Sequence, residues 1–307
     1  MNAAIGYLGP EGSNSHAAAQ RMLTHGLLPA HTALDLLAYP SFYALMDAVA
    51  DGVCAWGLLP VENALEGSVF EVVETLGLQK KRLAPQCEFS IPIRHALIRR
   101  LPPAAPQAPM AGIQRVLSHP QALGQCRETL HRYLGPAVEC IPVASTAQAV
   151  QALAEGRYRE GLDGEDPVAA IANLAASQRW GLPVVWDDLS DAPNNETRFL
   201  LVAAGGSQSG QVPSHWSGRP QKTSFCLGLA DRPGALIDVL VIFKAFDLSL
   251  TKIESRPSRR QLGEYWFHLD VEGDVTTPAY QVLRRQLRKL TTQLHVLGPF
   301  AVFGQLR

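Results

Sequence analysis

Apolar and polar positions follow two different rhythms along the chain. In the first two thirds, short apolar runs lead into stretches with helical spacing. IGYLGP reads as a strand before the helix HAAAQRML, WGLLPVEN as a strand into a turn, and FEVVETLGL as a helix. QRVLSHPQALGQCRETLHRYL reads strand, turn, helix: Pro120 suits a first helical turn, and Leu123, Cys126, Leu130 and Leu134 fall on one face. AVECIPVASTAQAVQALAEG repeats that order. This alternation predicts an α/β fold with a mainly parallel sheet between helices and ligands beyond the carboxyl ends of the strands.

The last third is different. TSFCLGLA reads as a strand, and Pro233 to Phe246 as a helix burying Leu236, Leu240 and Phe243. LSLTKIES follows as a strand, then YWFHLDVEG, where Tyr265, Phe267, Leu269 and Val271 alternate with Trp266, His268 and Asp270 and predict a half-buried strand. The amphipathic helix PAYQVLRRQLRKL and the strand VLGPFAVF complete a βαββαβ order, that of a ferredoxin-like sandwich. The segment from Ala203 to Gln221 has four glycines, four serines and two prolines and reads as a flexible connector. The expected division is 1–203, a linker at 204–221, and 222–307. PPAAPQAP, Pro102 to Pro109, reads as a loop inside the first domain.

Composition narrows the class. A chain of 307 residues with 47% hydrophobic and 18% charged residues can build two cores. Its 27 basic and 28 acidic residues give a net charge of -1, which argues against a nucleic-acid or anionic-membrane surface but allows a local anion pocket. The most apolar run, Gly234 to Phe246, is broken by Asp238 and Lys244 and falls short of the roughly 20 residues a bilayer requires. MNAAIGYLGP lacks the basic start and apolar core of a secretory signal. Five cysteines without a C-x-x-C pair suggest free thiols, a cytoplasmic location and no structural zinc.

Three strand-to-helix turns share one make-up: Gly12 and Ser13, Ser118 and His119, Ser145 and Thr146. Each puts free backbone N–H groups and a hydroxyl at a helix start, which suits a carboxylate or phosphate and equally suits an ordinary helix cap. LLPVENALEGSVF brings Glu62 and Glu66 around Asn63, and NNETRFLLV is a polar turn entering a strand. No hydrolase elbow or phosphate loop is present. The residues alone therefore point to an enzyme or binder for a small, multiply anionic molecule, joined to a ferredoxin-like module.

GYLGPEGS, LLPVEN-x-x-EGSV, SHPQAL-x-QC, the STA turn, NNETRF, KTSF, DRPGAL-x-x-x-L and LTKIESRP occur in one order along nearly the whole chain. In this the sequence resembles the monofunctional prephenate dehydratases with a C-terminal ACT domain. The resemblance implies two α/β lobes around a cleft, like type II periplasmic binding proteins, followed by the ACT module. It implies loss of carbon dioxide and hydroxide from prephenate to give phenylpyruvate, without metal or cofactor. It carries the catalytic role onto Thr197, as a positioned hydrogen-bond donor to the departing oxygen. Substrate contacts map to Ser13, Asn63, Ser118, Gln121, Ser145, Thr146, Arg198 and Phe199, while Glu62 and Glu66 order their loop.

The resemblance further implies phenylalanine as an allosteric effector bound where ACT domains pair in a homodimer or homotetramer. Gly234, Ala235, Leu236, Glu254, Ser255, Arg256 and Pro257 are the residues carried over. The chain departs from the family pattern at Asn14, Ala64, Phe70, Gly124, Asn173 and Arg179-Trp180. Ala64 removes a hydroxyl beside Asn63. The alternatives are an arogenate dehydratase, a non-aromatising prephenate decarboxylase, or a catalytically silent amino-acid sensor.

Overall fold

The computed structural model describes residues 4–28, 34–78, 83–101, 110–159, 167–205, 213–258 and 265–306. A first lobe is built from β1 (Ala4–Leu8), α1 (Asn14–Thr24), β2 (Asp35–Tyr39), α2 (Phe42–Ala50), β3 (Trp56–Asn63), β4 (Gly67–Ser68), α3 (Phe70–Leu78) and β5 (Leu83–Pro92). The chain then crosses to a second lobe: β6 (Ala96–Arg99), β7 (Arg115–Ser118), α4 (Pro120–Gln125), α5 (Arg127–Leu134), β8 (Glu139–Pro142), α6 (Thr146–Ala154), β9 (Val168–Ala172), α7 (Leu174–Trp180) and β10 (Val184–Trp186). It returns to the first lobe as β11 (Glu196–Ala204). The C-terminal module is β12 (Gln221–Leu229), α8 (Ala235–Ala245), β13 (Leu250–Pro257), β14 (Tyr265–Glu272), α9 (Gln281–Leu290) and β15 (Gln293–Gln305).

The sheets are mixed, not mainly parallel. In the first lobe β2, β1 and β3 run parallel, but the returning β11 pairs antiparallel with both β3 and β5. In the second, β8, β7 and β9 are parallel, and β6 and β10 close the edge antiparallel. The antiparallel strands flank the segments that cross between lobes, a reversal that local periodicity does not encode. The predicted helix after Pro120 breaks at Cys126 into α4 and α5, yet Cys126 and Leu130 still share one core with Leu123 and Leu134.

The C-terminal module has the expected βαββαβ order, with strands arranged β13-β14-β12-β15. Its core gathers Phe225, Leu227, Val239, Phe243, Leu269, Val271, Leu283 and Leu287. The module does not stand apart. β15 pairs parallel with β5, so a single ten-stranded sheet runs from the module into the first lobe. Two expectations change accordingly. β14 is buried on both faces, because Trp266 and Asp270 are covered as well as Leu269 and Val271. In the connector, Trp216 is buried, donates from Nε1 to the Leu27 carbonyl at 2.7 Å and packs on Phe303. Residues 206–212 of that connector, like the loop at 102–109, lie outside the described residues.

All five cysteines are free, four of them buried and Cys140 exposed. Burial pushes the Cys226 thiol up to about 12, so it behaves as a small apolar side chain. No helix among the described residues is long and apolar enough to cross a membrane.

Candidate active site

Strand parity organises the site. On β11, neighbouring side chains point to opposite faces of the sheet. Thr197 pairs with Asn63 and Arg198 with Glu62 across the β3 ladder. The Thr197 and Asn63 side chains meet on one face, and the two charged side chains meet on the other.

Asn63 is the hub of the first face. Its Oδ1 accepts from the Leu65 and Glu66 amides at 3.0 and 3.1 Å, which fixes the orientation of the side-chain amide. Its Nδ2 then faces Asn195 Oδ1 at 2.8 Å, the Glu196 carbonyl at 3.1 Å and Thr197 Oγ1 at 3.0 Å. Because Asn63 donates to the Thr197 oxygen, the Thr197 hydroxyl proton is left to point at another acceptor. The Ala64 amide bonds the Glu196 carbonyl at 2.9 Å, so the loop is held without the hydroxyl that Ala64 lacks.

The network continues into the second lobe. Asn195 Nδ2 donates to Gln125 Oε1 at 2.9 Å, and Gln125 Nε2 donates to Glu66 Oε1 at 2.9 Å. His95 Nε2 lies 2.7 Å from the same Gln125 oxygen. Burial lowers the His95 pKa, keeping the ring neutral, with Nε2–H as the donor that Gln125 Oε1 needs. Gln125, Asn195 and His95 are functional candidates that local sequence reasoning missed. Gln125 and Asn195 stand in the QC of SHPQAL-x-QC and as the second Asn of NNETRF, whereas His95 lies in no motif; only the fold brings the three together.

Further along the seam three helix starts converge. Gly12, at φ +86, packs so closely that a Cβ there would lie 3.4 Å from Ala176 Cα in α7 and 3.7 Å from Ala147 Cβ in α6. Ser13, Ser145 and Asn173 cap α1, α6 and α7. Asn173 Nδ2 donates to Asn14 Oδ1 at 2.8 Å, and Arg179 pairs with Glu11. Three positions that depart from the family pattern thus meet partners across the lobes. A cleft of about 840 Å³ adjoins this seam, lined by Asn14, Asn173, Arg94, Asn194, Asn195 and Glu196 among others. Thr197 is half-buried and does not line that cleft; Asn63 bonds both Thr197 and Asn195, which does.

Several expected substrate contacts are spent elsewhere. Ser118 is fully buried and donates to the Ile171 carbonyl at 2.7 Å inside the second lobe. Phe199 lies in the core, stacked on Phe89. The Ser13 hydroxyl accepts from the His16 amide and donates to the Leu8 carbonyl, which consumes it as a cap. Ser145 accepts from the Gln148 amide at its own helix start. Thr146 is half-buried beside it, and Gln121 is exposed on α4.

Arg198 is the largest correction. Its guanidinium faces Glu62 and Glu88, each at 2.7 Å, and Asp270 of β14 at 3.1 Å. Lys222 of β12 joins Glu88 at 2.6 Å. Burial opposes the charge on Arg198, but Asp270, Glu88 and Glu62 outweigh it and raise its pKa. Burial also works to raise the Asp270 carboxyl, yet His268, Arg198, the Ser224 hydroxyl and Lys252 together hold it below the usual carboxylate range. Arg198 therefore ties the first lobe to the C-terminal module and faces away from Thr197.

The expected effector residues fall in two places within one chain. Glu254, Arg256 and Pro257 line a cavity of about 250 Å³ with Phe70, Val73, Cys226, Trp266 and His268. Arg256 packs over the Phe70 ring and bonds Glu254 at 2.9 Å. Ser255 is exposed, while Gly234, in the left-handed region at φ +81, Ala235 and Leu236 open α8 away from that cavity.

Comparison with known proteins places this architecture. Residues 5–207 match the family model for prephenate dehydratase. A prephenate dehydratase of Mycolicibacterium vanbaalenii is 32% identical over 302 residues, covering 96% of this chain and 89% of the relative. The crystal structure of a prephenate dehydratase from Arthrobacter aurescens in complex with L-Phe aligns with a TM-score of 0.77 at 27% identity, covering 97% of this chain and 89% of the other. A quorum-quenching acylase aligns with a TM-score of 0.75, covering 98% of both chains, but at 22% identity this shows the fold alone. On the family match and the near-full-length relatives, the chain belongs to the prephenate dehydratase family.

Proposed function

We propose that this chain converts prephenate to phenylpyruvate, with Thr197 as the catalytic residue. The observation that carries the reading is the hydrogen bond from Asn63 to Thr197 Oγ1, which leaves the hydroxyl proton to be donated outward. Prephenate is a dianion. Loss of carbon dioxide from one ring carbon and of the hydroxyl oxygen from the opposite carbon leaves an aromatic ring. The departing oxygen must take up one proton to leave as water.

A threonine hydroxyl is too weak an acid to supply that proton unaided at neutral pH. Its role is to stabilise negative charge as it grows on the departing oxygen, which takes its proton from hydronium or a buffer acid in the solvent. The capped starts of α1, α6 and α7 supply N-terminal dipoles for the two carboxylates. Thr146, Gln121 and the Asn14–Asn173 pair complete the substrate side, with Ser13 and Ser145 acting through their helix caps. Ala64 does not argue for a silent sensor, since backbone bonds replace its missing hydroxyl.

The C-terminal module reads as an ACT domain that binds phenylalanine and lowers activity. Its outer surface exposes Ile237, Val241 and Ile253, an apolar face suited to a second copy in a homodimer or homotetramer. Pairing there would bring the Gly234–Leu236 helix start of one copy toward the Glu254–Pro257 strand end of the other. The division at 204–221 and a cytoplasmic location belong to the same reading.

The test is purified protein with prephenate, following phenylpyruvate and carbon dioxide, with and without phenylalanine and with arogenate in parallel. Equal amounts of both products, reduced by phenylalanine, are expected. Carbon dioxide without phenylpyruvate overturns the reading in favour of a non-aromatising decarboxylase.

A further inference from the structure

The two strands that carry Thr197 and Asn63 are held from behind by the C-terminal module at two points. At the first, Asp270 of β14 is almost fully buried: its Oδ1 accepts from the Ser224 hydroxyl, and its Oδ2 lies 3.1 Å from Arg198 Nη1. Arg198 directly follows Thr197, and its other arm holds Glu62 at 2.7 Å, the residue directly before Asn63. At the second, Lys252 of β13 donates to Ser68 Oγ at 2.5 Å. Ser68 pairs with Glu62, and Gly67 with Asn63, in the short β3–β4 ladder. Thr197 and Asn63 are thus flanked along the backbone by residues anchored to the module's sheet.

We propose that Asp270 and Lys252 are positioning residues for the dehydratase site: they set the Thr197–Asn63 geometry through Arg198 and through Ser68. Neither touches the substrate side. Asp270 fixes Arg198, which fixes the spacing of β11 and β3 at the register where Thr197 and Asn63 meet. Lys252 fixes the far end of the turn whose amides orient Asn63. Catalysis by a placed hydroxyl is sensitive to such placement, because a displacement of about 1 Å lowers turnover by up to about 100-fold. The charges balance locally: Arg198, Lys222, Lys252 and Arg256 face Glu62, Glu88, Asp270 and Glu254. Removing one member therefore redistributes the remaining contacts.

This inference rests on the proposed dehydratase reading, and the experiment separates the two. Steady-state kinetics with prephenate are measured for the full chain, Asp270→Asn and Lys252→Met, each alone and combined with Thr197→Ser. Wild-type turnover tests the reading itself. Given that turnover, Asp270→Asn is expected to lose about tenfold in kcat and Lys252→Met about threefold, with KM within about twofold of wild type. A variant that merely lowers the folded fraction multiplies independently with Thr197→Ser. A positioning residue instead gives a combined loss differing from the product by at least about threefold. Folded variants with wild-type kcat, or losses that multiply, overturn the inference. Should Asp270→Asn fail to fold, Lys252→Met alone decides by the same criteria.

Discussion

The molecule has two polar seams, built from opposite materials. Among the described residues, the seam between the lobes is largely made of neutral amides, Asn63, Asn195, Gln125, Asn14 and Asn173, with Glu66 on Gln125 and the exposed ion pair Glu11–Arg179. The seam between the first lobe and the C-terminal module is made of buried charges around Arg198. Amide contacts and exposed ion pairs exchange readily with water, so the first seam can open for a substrate at little expense. A buried charge stripped of its partners is strongly destabilising, so the second seam resists separation. The difference suits a cleft that must admit and release a ligand beside a module that must stay in register with it.

The sharpest way to break this comparison is to remove the charge at its centre. Arg198→Met removes the cation shared by Glu62, Glu88 and the buried Asp270, leaving Lys222 on Glu88, and is expected to lower unfolding stability by about 3–5 kcal/mol. Denaturant unfolding measures it, and a loss below about 1 kcal/mol would mean that the charged seam is not what fastens the module. Next in size, Asn63→Ala is expected to lower kcat about 100-fold while the fold is retained, because the Thr197 oxygen loses its donor. Turnover by a protein with unchanged circular dichroism checks it.

The charged seam also has a pH signature. The Asp270 carboxyl is held low in the folded state, so its stabilisation is present above the ordinary aspartate range and fades as pH falls through the folded value. Below about pH 4 the melting temperature of wild type should therefore drop more steeply than that of Asp270→Asn. Equal slopes would remove Asp270 from the acid response. The smallest effect belongs to the amide seam: Asn173→Ala, which deletes the bond to Asn14 and the α7 cap, is expected to lower stability by only about 1 kcal/mol. A change in KM exceeding that in kcat would show that the bond acts on substrate entry.

Much of this was readable from the chain itself. The strand-turn-helix units and the βαββαβ order follow from local periodicity and turn chemistry; of the three turns singled out, those of Ser13 and Ser145 meet, but the third helix start beside them is that of Asn173, not that of Ser118. Strand parity carries a further constraint: Thr197 and Arg198 are neighbours on a strand, so their side chains lie on opposite faces of the sheet and cannot both contact one ligand. Ser118 ends a buried strand, where its hydroxyl finds a carbonyl of β9. What the sequence could not disclose were partnerships made at long range. Gln125 meets Asn195 only after the chain has crossed to the second lobe and back. The polar face of β14, with His268 and Asp270, reads as solvated because nothing local says that another domain will cover it.

The most direct test of the account is Thr197→Ala, assayed with prephenate for phenylpyruvate alongside wild type, with thermal unfolding as the control for folding. The expected result is a protein that melts near the wild-type temperature and has lost at least about 100-fold in kcat. Wild-type turnover in that folded variant would contradict the claim that the Thr197 hydroxyl assists the departing oxygen.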